Sequence, residues 1–453
     1  MPHRMRREIE SALRIDINAE VIGGESLPSC FAVSAMLSES VAAVGCAASA
    51  LIATLGFAPA RPRVRVDQRL VSLWCARSIY PIGWDLPPVW DAVAGDYRTA
   101  DGWIRLHTNL AHHRRAALSV LGCGPDRATV AEAVAGWNAE ALEMAIVEAG
   151  GVAATMRSRD AWISHPQGSA VAAEPLVAWD VTRPGTVRSW EATRARPLSG
   201  LRVLDLTRVI AGPVATRTLA GLGATVLRID PPGWDEANVV PDVTLGKHCA
   251  HLRLDTAGDR AIFERLLAEA DVLVHGYRPG ALDGLRLGRD RRRRIAPDLI
   301  EVSLDAYGWT GPWAGRRGFD SLVQMGCGIA AAGMVWAKRA EPTPLPVQAL
   351  DHATGYLMAA AVLAALNRAA LGDGITAARL SLARTGDLLA RHPSGAAGTL
   401  GLQPDAVDMA ATVERTAWGD AHRLRPPFAI DGTTIGWDRP AGPLGAAPAR
   451  WRE

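Results

Sequence analysis

Between Leu201 and Asp230 the chain reads LRVLDLTRVIAGPVATRTLAGLGATVLRID. A short apolar run, a break at Ala211-Gly212-Pro213, a helix-capable stretch and a second apolar run predict strand, turn, helix, strand. Pro213 suits a first helical turn, where its missing N–H is not needed. Gly221 and Gly223 suit the helix end. The helix is predicted over 214–222, its N-terminus at the carboxyl end of the first strand, a geometry that binds anionic groups. The alternation then continues. AHLRLD, DVLVHGY and DLIEVSLDAYG read as strands, GDRAIFERLLAEA and ALDGLRLGRDRRRRIAP as helices. VQALDHATGYLMAAAVLAALNRAAL is a long helix opened by Asp351, and ARLSLARTGDLLA is a strand and helix. Strands alternating with helices predict a parallel, doubly wound sheet. The arginines at 291–294 read as a solvated helix face.

The first 190 residues carry a different pattern. Val41–Leu55 reads as a buried Ala-rich helix. Gly95–Asn109 reads as a hairpin with its turn at Asp101-Gly102, since Asp-Gly between alternating runs is a strong hairpin signal. A helix with surface residues His112, His113 and Arg114 follows, then two helical segments ending at Gly150-Gly151, then a strand and a short helix in GVAATMRSRDAWISHPQ. This is α+β character. Residues 180–200 read as a polar, Pro-containing linker. The tail from His392 is Gly- and Pro-rich and is expected to pack on the surface. The expected organisation is a small α+β module over 1–190, a sheet domain over 198–390 and a C-terminal segment over 391–453.

Composition narrows the function classes. The 453 residues are nearly half hydrophobic and carry a net charge of +2, which gives no reason to expect nucleic acid. Six scattered cysteines without a CxxC pair predict free thiols in a reducing cytoplasm and no metal site. Val33–Phe57 is apolar but interrupted by Ser38, Glu39 and Ser40, which predicts buried helices and no membrane span. Walker, HExxH and GxSxG motifs are absent, and AGPVAT stands where GxGxxG would follow the first strand.

Asp351 is the carboxylate of most interest. One reading is an N-cap, since an Asp oxygen accepts from free helix N–H groups. The same position would keep it ionised, and an ionised carboxylate is a nucleophile.

PLSGLRVLDLTRVIAGPVATRTLAGLGATVLRIDPPGWDE resembles the opening of the family III CoA-transferases, the group that includes formyl-CoA transferase and α-methylacyl-CoA racemase. Four later blocks resemble that family in the same order: GKHCAHLRLDTAGDRAIFERLLAEADVLVHGYRPGAL, PDLIEVSLDAYGWTGPWAGRRGFDSLVQ, PVQALDHATGYLMAAAVLAAL and RLSLARTGDLL. The resemblance implies a Rossmann-like α/β large domain with a smaller α+β domain. It implies that Asp351, in LDHATGYL, is the nucleophile of an acyl-CoA:carboxylate CoA-transferase, passing through an aspartyl anhydride and an aspartyl-CoA thioester. Coenzyme A, as acyl-CoA, and a small carboxylic acid are the implied substrates, and no metal is implied. Arg208, Ile210, Ala211, Lys247, Tyr277, Arg278 and Ala281 are implied on the CoA side. Arg317 is implied as a phosphate partner and Asp320 as a support for Asp351.

The GRRGFD block has Phe319 where the family's racemases have histidine, which disfavours proton shuttling. A CoA-binding relative without turnover is the other class of reading, because Gly276 replaces an asparagine of the family's pattern. The family's order is also changed. The stretch from GDYRTADGWIRLHTN to HPQ resembles the family's small domain, yet it precedes the opening strand. Val33–Leu55 then resembles the remnant of a first-copy helix. The resemblance further implies a homodimer, intertwined in the family, with each site between a large and a small domain.

Overall fold

In the computed structural model, which describes residues 2–24, 26–183, 187–394, 398 and 401–451, the predicted alternation forms one seven-stranded sheet. Its strands are β1 (Ala178–Arg183), β2 (Arg202–Leu206), β3 (Thr225–Asp230), β4 (Lys247–His251), β5 (Val272–His275), β6 (Ile300–Asp305) and β7 (Ile375–Ser381). They lie in the order β4-β3-β2-β5-β6-β7-β1. Neighbours are parallel except β1, which runs antiparallel to β7. Strand order reverses between β2 and β5, so a crevice opens beyond their carboxyl ends, where doubly wound sheets bind ligands. β6 (IEVSLD) alternates apolar and polar residues yet is buried at every position, with Glu301 held by Arg292, because helices cover both faces of the sheet. The sequence 180–200 is therefore only partly a linker. Its start belongs to β1, an edge strand that caps β7.

Five helices matter to the site: α1 (Val33–Thr54), α2 (Ala211–Gly221), α3 (Asp320–Gly326), α4 (Ala349–Ala370) and α5 (Leu382–Ala390). α1 starts earlier than the periodicity predicts. α1 and α4 each hold a window apolar enough to cross a membrane, but those windows are 94% and 100% buried. They meet in one core cluster, and a helix apolar all round is one without a solvent face. A boundary at residue 190 therefore does not divide the molecule, because α1 belongs to the core of the sheet domain. The C-terminal segment is threaded in as well. Phe428–Ile430 pairs antiparallel with Val64–Asp67, which is parallel to Ala19–Ile22. Phe428 and Ile430 are buried in the same core.

The small α+β unit spans about 91–173. Gly95–Arg98 and Trp103–Leu106 form the predicted hairpin, and Ala153–Thr155 adds a third strand. Helices Ala111–Leu121, Arg127–Ala135 and Ala139–Glu148 cover it around a separate core. Val152 and Ala154 seat the unit on Leu322 and Met325 of α3. Gln167, fully buried, fixes the loop that leads into α3. Its amide donates to the carbonyls of Tyr307 and Thr310, both at 2.8 Å, and its Oε1 accepts the Trp313 N–H at 2.6 Å. Each such bond contributes about 1 kcal/mol net, and leaving any partner unmet costs more.

The arginine run is not uniformly solvated. Arg291 pairs with Glu264 at the surface, but Arg292 is buried against Glu301, with Nη2 2.6 Å from Oε1.

Candidate active site

Beyond the carboxyl ends of β2, β5 and β6 lies a cleft of about 380 Å³. Its walls include Thr207, Arg208, Val209 and Ala211 from the turn after β2, and Tyr277, Arg278 and Ala281 from the turn after β5. Asp305 and Ala306 come from the end of β6, Arg316, Arg317 and Phe319 from the loop before α3, and Asp351 from α4. Leu110, His112 and His113 of the small unit close the opposite side.

The turn after β2 is held from several directions. Asp205, fully buried, accepts from the Thr207 N–H at 2.8 Å and the Thr216 hydroxyl at 2.6 Å. Lys247 Nζ lies 3.0 Å from Asp205 Oδ2 and donates to the Pro213 carbonyl at 2.9 Å. Lys247 thus sits beneath the turn, outside the cleft wall, and its implied ligand role gives way to a structural one. Val209 has φ +64°, and its N–H is held by Glu236 Oε2 at 2.9 Å. A β-branched residue in that region is strained, and such strain collects at functional sites. A Cβ at Gly212 would meet the Thr207 Cβ at 2.3 Å, so only glycine lets the chain fold back there.

The approach of α4 to α2 depends on a second glycine. A Cβ at Gly355 would stand 2.3 Å from the Ala211 carbonyl oxygen. Residues four apart share a helix face, so the contact at Gly355 turns Asp351 toward the N-terminus of α2. Asp351 is not the N-cap. α4 opens at Ala349 after Gln348, which makes no side-chain cap. The capping oxygen comes instead from Asp320, whose Oδ2 accepts the Asp351 N–H at 2.9 Å. Asp320 Oδ1 accepts from Gln324, whose Oε1 in turn accepts the Leu345 N–H. Asp320 therefore holds the backbone of Asp351 and leaves its carboxyl to the cleft. Among the described residues nothing donates to that carboxyl.

The electrostatics differ from the expectation of a carboxylate kept ionised by its helix. Burial, and then the charge of Asp320, push the Asp351 pKa well above the usual range. Burial likewise pushes Asp320 up to about 6, against the opposing hydrogen bond from the Asp351 N–H. Desolvation of two neighbouring carboxyls outweighs the helix end. Asp305 is raised to about 8 by burial, with Glu174 adding to the rise and the Gly308 N–H opposing it.

Cations line the outer part of the cleft. The Arg208 guanidinium lies 4.3 Å from the Trp234 ring centroid and donates to the Tyr277 hydroxyl at 3.1 Å. Arg278 and Arg317 are close enough to depress the Arg317 pKa, after the larger effect of burial. Among the described residues neither forms a salt bridge with a carboxylate. Ile210 supports the turn from just outside the wall, and Gly276 forms part of the wall.

Sequence reasoning places one residue wrongly and misses another. His113 is 2% exposed, and it faces the cleft rather than solvent. Asp305 ends a strand and gave no signal beyond its place in DLIEVSLDAYG. The sequence clue for both was their position at the end of an element that points into the crevice.

Residues 198–392 match the model of CoA-transferase family III. Over 176 residues the chain is 39% identical to "Acetyl-coenzyme A transferase nodX" of Hypoxylon pulicicidum, covering 38% of this chain and 30% of that protein. Over 186 residues it is 37% identical to "Probable fatty acyl-CoA transferase Rv3272" of Mycobacterium tuberculosis, covering 38% and 47%. The crystal structure of Rv3272 superposes with a TM-score of 0.40 at 32% identity, covering 44% of this chain and 57% of that one. The chain thus spans less than half the length of these two curated relatives.

Proposed function

We propose that the protein moves CoA from an acyl-CoA donor to a carboxylic acid acceptor, with residues 198–392, which match the CoA-transferase family III model, as its catalytic domain and Asp351 as nucleophile. The observation that carries this reading is the Asp351 carboxyl, unbonded and open to a cleft at the switch point of the sheet. In its ionised form, whose fraction rises as pH passes the raised Asp351 pKa, its oxygen attacks the thioester carbonyl carbon, the C–S bond breaks, and CoA leaves as thiolate, giving an aspartyl anhydride. The thiolate then attacks the aspartyl carbonyl and expels the donor acid as carboxylate, leaving aspartyl-CoA. The acceptor carboxylate enters and the two steps reverse. A thiolate leaves without a general acid, so a lone carboxylate suffices if the site supplies position and hydrogen-bond donors. Arg208, Arg278 and Arg317 suit the CoA phosphates, and Trp234 and Tyr277 offer apolar faces beside them.

Phe319 argues against a racemase at the family's position, and His352 lies outside the cleft wall. We assign no acyl group, since specificity rests on cleft shape. The decisive experiment incubates the protein with a panel of acyl-CoA donors and maps adducts by mass. An adduct on the Asp351 peptide that borohydride reduces supports the mechanism. Equal transfer by Asp351→Ala sinks it. CoA binding with no adduct from any donor indicates a relative without turnover.

A further inference from the structure

Three helices longer than ten residues begin at the cleft. Asp351 is the third residue of α4, Ala211 the first of α2, and His113 the third of helix Ala111–Leu121. His113 is the residue that the nucleophile's own environment does not explain. Both of its ring nitrogens are buried without a hydrogen-bond partner. An imidazole always carries at least one N–H, so an unmet buried donor is held here at a cost. Its ring makes an edge contact with Phe319 at 5.9 Å between centroids. Phe319 immediately precedes Asp320, the residue that holds the Asp351 backbone. His113 and Asp351 are lining residues of one cleft, contributed by different parts of the chain.

We propose that His113 donates a ring N–H to the oxyanion formed when Asp351 attacks the acyl-CoA thioester, a role that rests on the transferase reading above. As the Asp351 oxygen bonds to the carbonyl carbon, the carbonyl electron pair moves onto oxygen. The imidazole N–H stabilises that charge and keeps its proton. The pair returns as the C–S bond breaks and thiolate leaves. Burial, then His112 and Arg317, push the His113 pKa down to about 3, so the ring is a neutral donor throughout the working range. A fixed neutral donor stabilises developing charge without having to reorganise. The ring packs against His112, at 4.0 Å between centroids, and edge-on against Phe319.

The test compares His113→Gln, which keeps an N–H near the same place, with His113→Leu, which keeps only bulk. Full-chain protein is assayed with the donor that gives the best Asp351 adduct. His113→Leu is expected to lower kcat about 10²-fold with KM for acyl-CoA within a factor of about three, and to form the adduct more slowly. His113→Gln is expected to recover at least about tenfold of the loss. Because no proton is transferred, the acid limb of the pH profile is expected to stay where it was. Parent-like turnover in His113→Leu overturns the proposal. So does a Gln variant as slow as Leu at an unchanged melting temperature, or a limb that moves. If the Leu variant does not fold, the Gln variant decides by its kcat and pH profile. Failure of the parent to form any Asp351 adduct would instead overturn the transferase reading, so the two failures are distinguishable.

Discussion

Residues 33–76 and 349–390 are built to one plan. α1 and α4 are both 22 residues long. Each is followed by a strand, Val64–Asp67 or β7, and then by a nine-residue helix, Gln68–Ala76 or α5. In both, the last strand residue caps the final helix: Asp67 accepts the Leu70 N–H, and Ser381 accepts the Arg384 N–H. Each strand lies between one parallel and one antiparallel neighbour. The antiparallel neighbours are exchanged. β1, which follows the first stretch and its small unit, pairs with β7, whereas Phe428–Ile430, which follows the second, pairs with Val64–Asp67.

The two helices differ where chemistry is concerned. Counted from their first residues, Asp351 of α4 corresponds to Ala35 of α1, and Gly355 corresponds to Glu39. The glycine admits α2 and aims a carboxyl at the cleft. The glutamate instead binds Arg6 of the N-terminal helix, with Nε at 2.8 Å and Nη2 at 2.9 Å from its two oxygens. One stretch brings a carboxyl to the cleft wall and the other binds a cation in the core.

The largest expected effect breaks this asymmetry directly. Asp351→Ala should slow transfer by roughly 10⁴-fold, and adding Ala35→Asp should restore nothing. Mass mapping that finds an adduct on the Ala35→Asp peptide would show two equivalent sites and end the comparison. Next come the paired positions. Glu39→Ala should cost about 2–3 kcal/mol by leaving Arg6 half-buried and unpaired, read as a lower urea midpoint with adduct per folded chain unchanged. Gly355→Ala should cost a similar amount and in addition lower kcat, because Ala211 must move. Equal kinetic effects of the two variants would contradict the division of labour.

Stability against pH gives a smaller signal. The folded pKa of Asp305, about 8, stands above its unfolded value of about 4. The folded state therefore binds more protons across that window, and its stability is complete below about pH 4 and lost as pH rises through 8. Asp305→Asn should raise stability at pH 8.5 by on the order of 1–3 kcal/mol and change it little at pH 4. Melting curves at the two pH values check the sign. The smallest effect belongs to Asp320→Asn. It keeps an acceptor for the Asp351 N–H but removes the charge that holds the Asp351 pKa up, after burial. The acid limb of adduct formation should move to lower pH by about one unit. A shift upward would mean that Asp320 supports Asp351 in some other way.

The sheet was readable because strand-like and helix-like stretches alternate along the chain, as from RVLDL onward, although IEVSLD alternates like a half-exposed strand and is nonetheless buried on both faces. The Asp101-Gly102 hairpin was readable because its turn chemistry is local. α1 was readable as a buried helix but not as the companion of α4, since nothing local records which apolar surfaces meet. β1 was missed because an edge strand alternates and borders a Pro-containing stretch. The strand at Phe428 was missed because Gly and Pro surround it. At the site, Asp351 carried a motif, whereas Lys247 kept a charge that sequence cannot distinguish from a ligand-facing one. The burial of His113 follows from the docking of a separate unit, which lies beyond any helical period.

The exchanged strands have a consequence for how this protein can be divided. The stretch that matches a known family begins at residue 198, yet it is not an autonomous body. Cut out alone, it would expose the open edge of β7 and the apolar flank of α4, two surfaces that recruit other chains. It would also lack the wall that carries His113. The halves are interlocked, so a cut at the visible family boundary is expected to leave a fragment prone to aggregation.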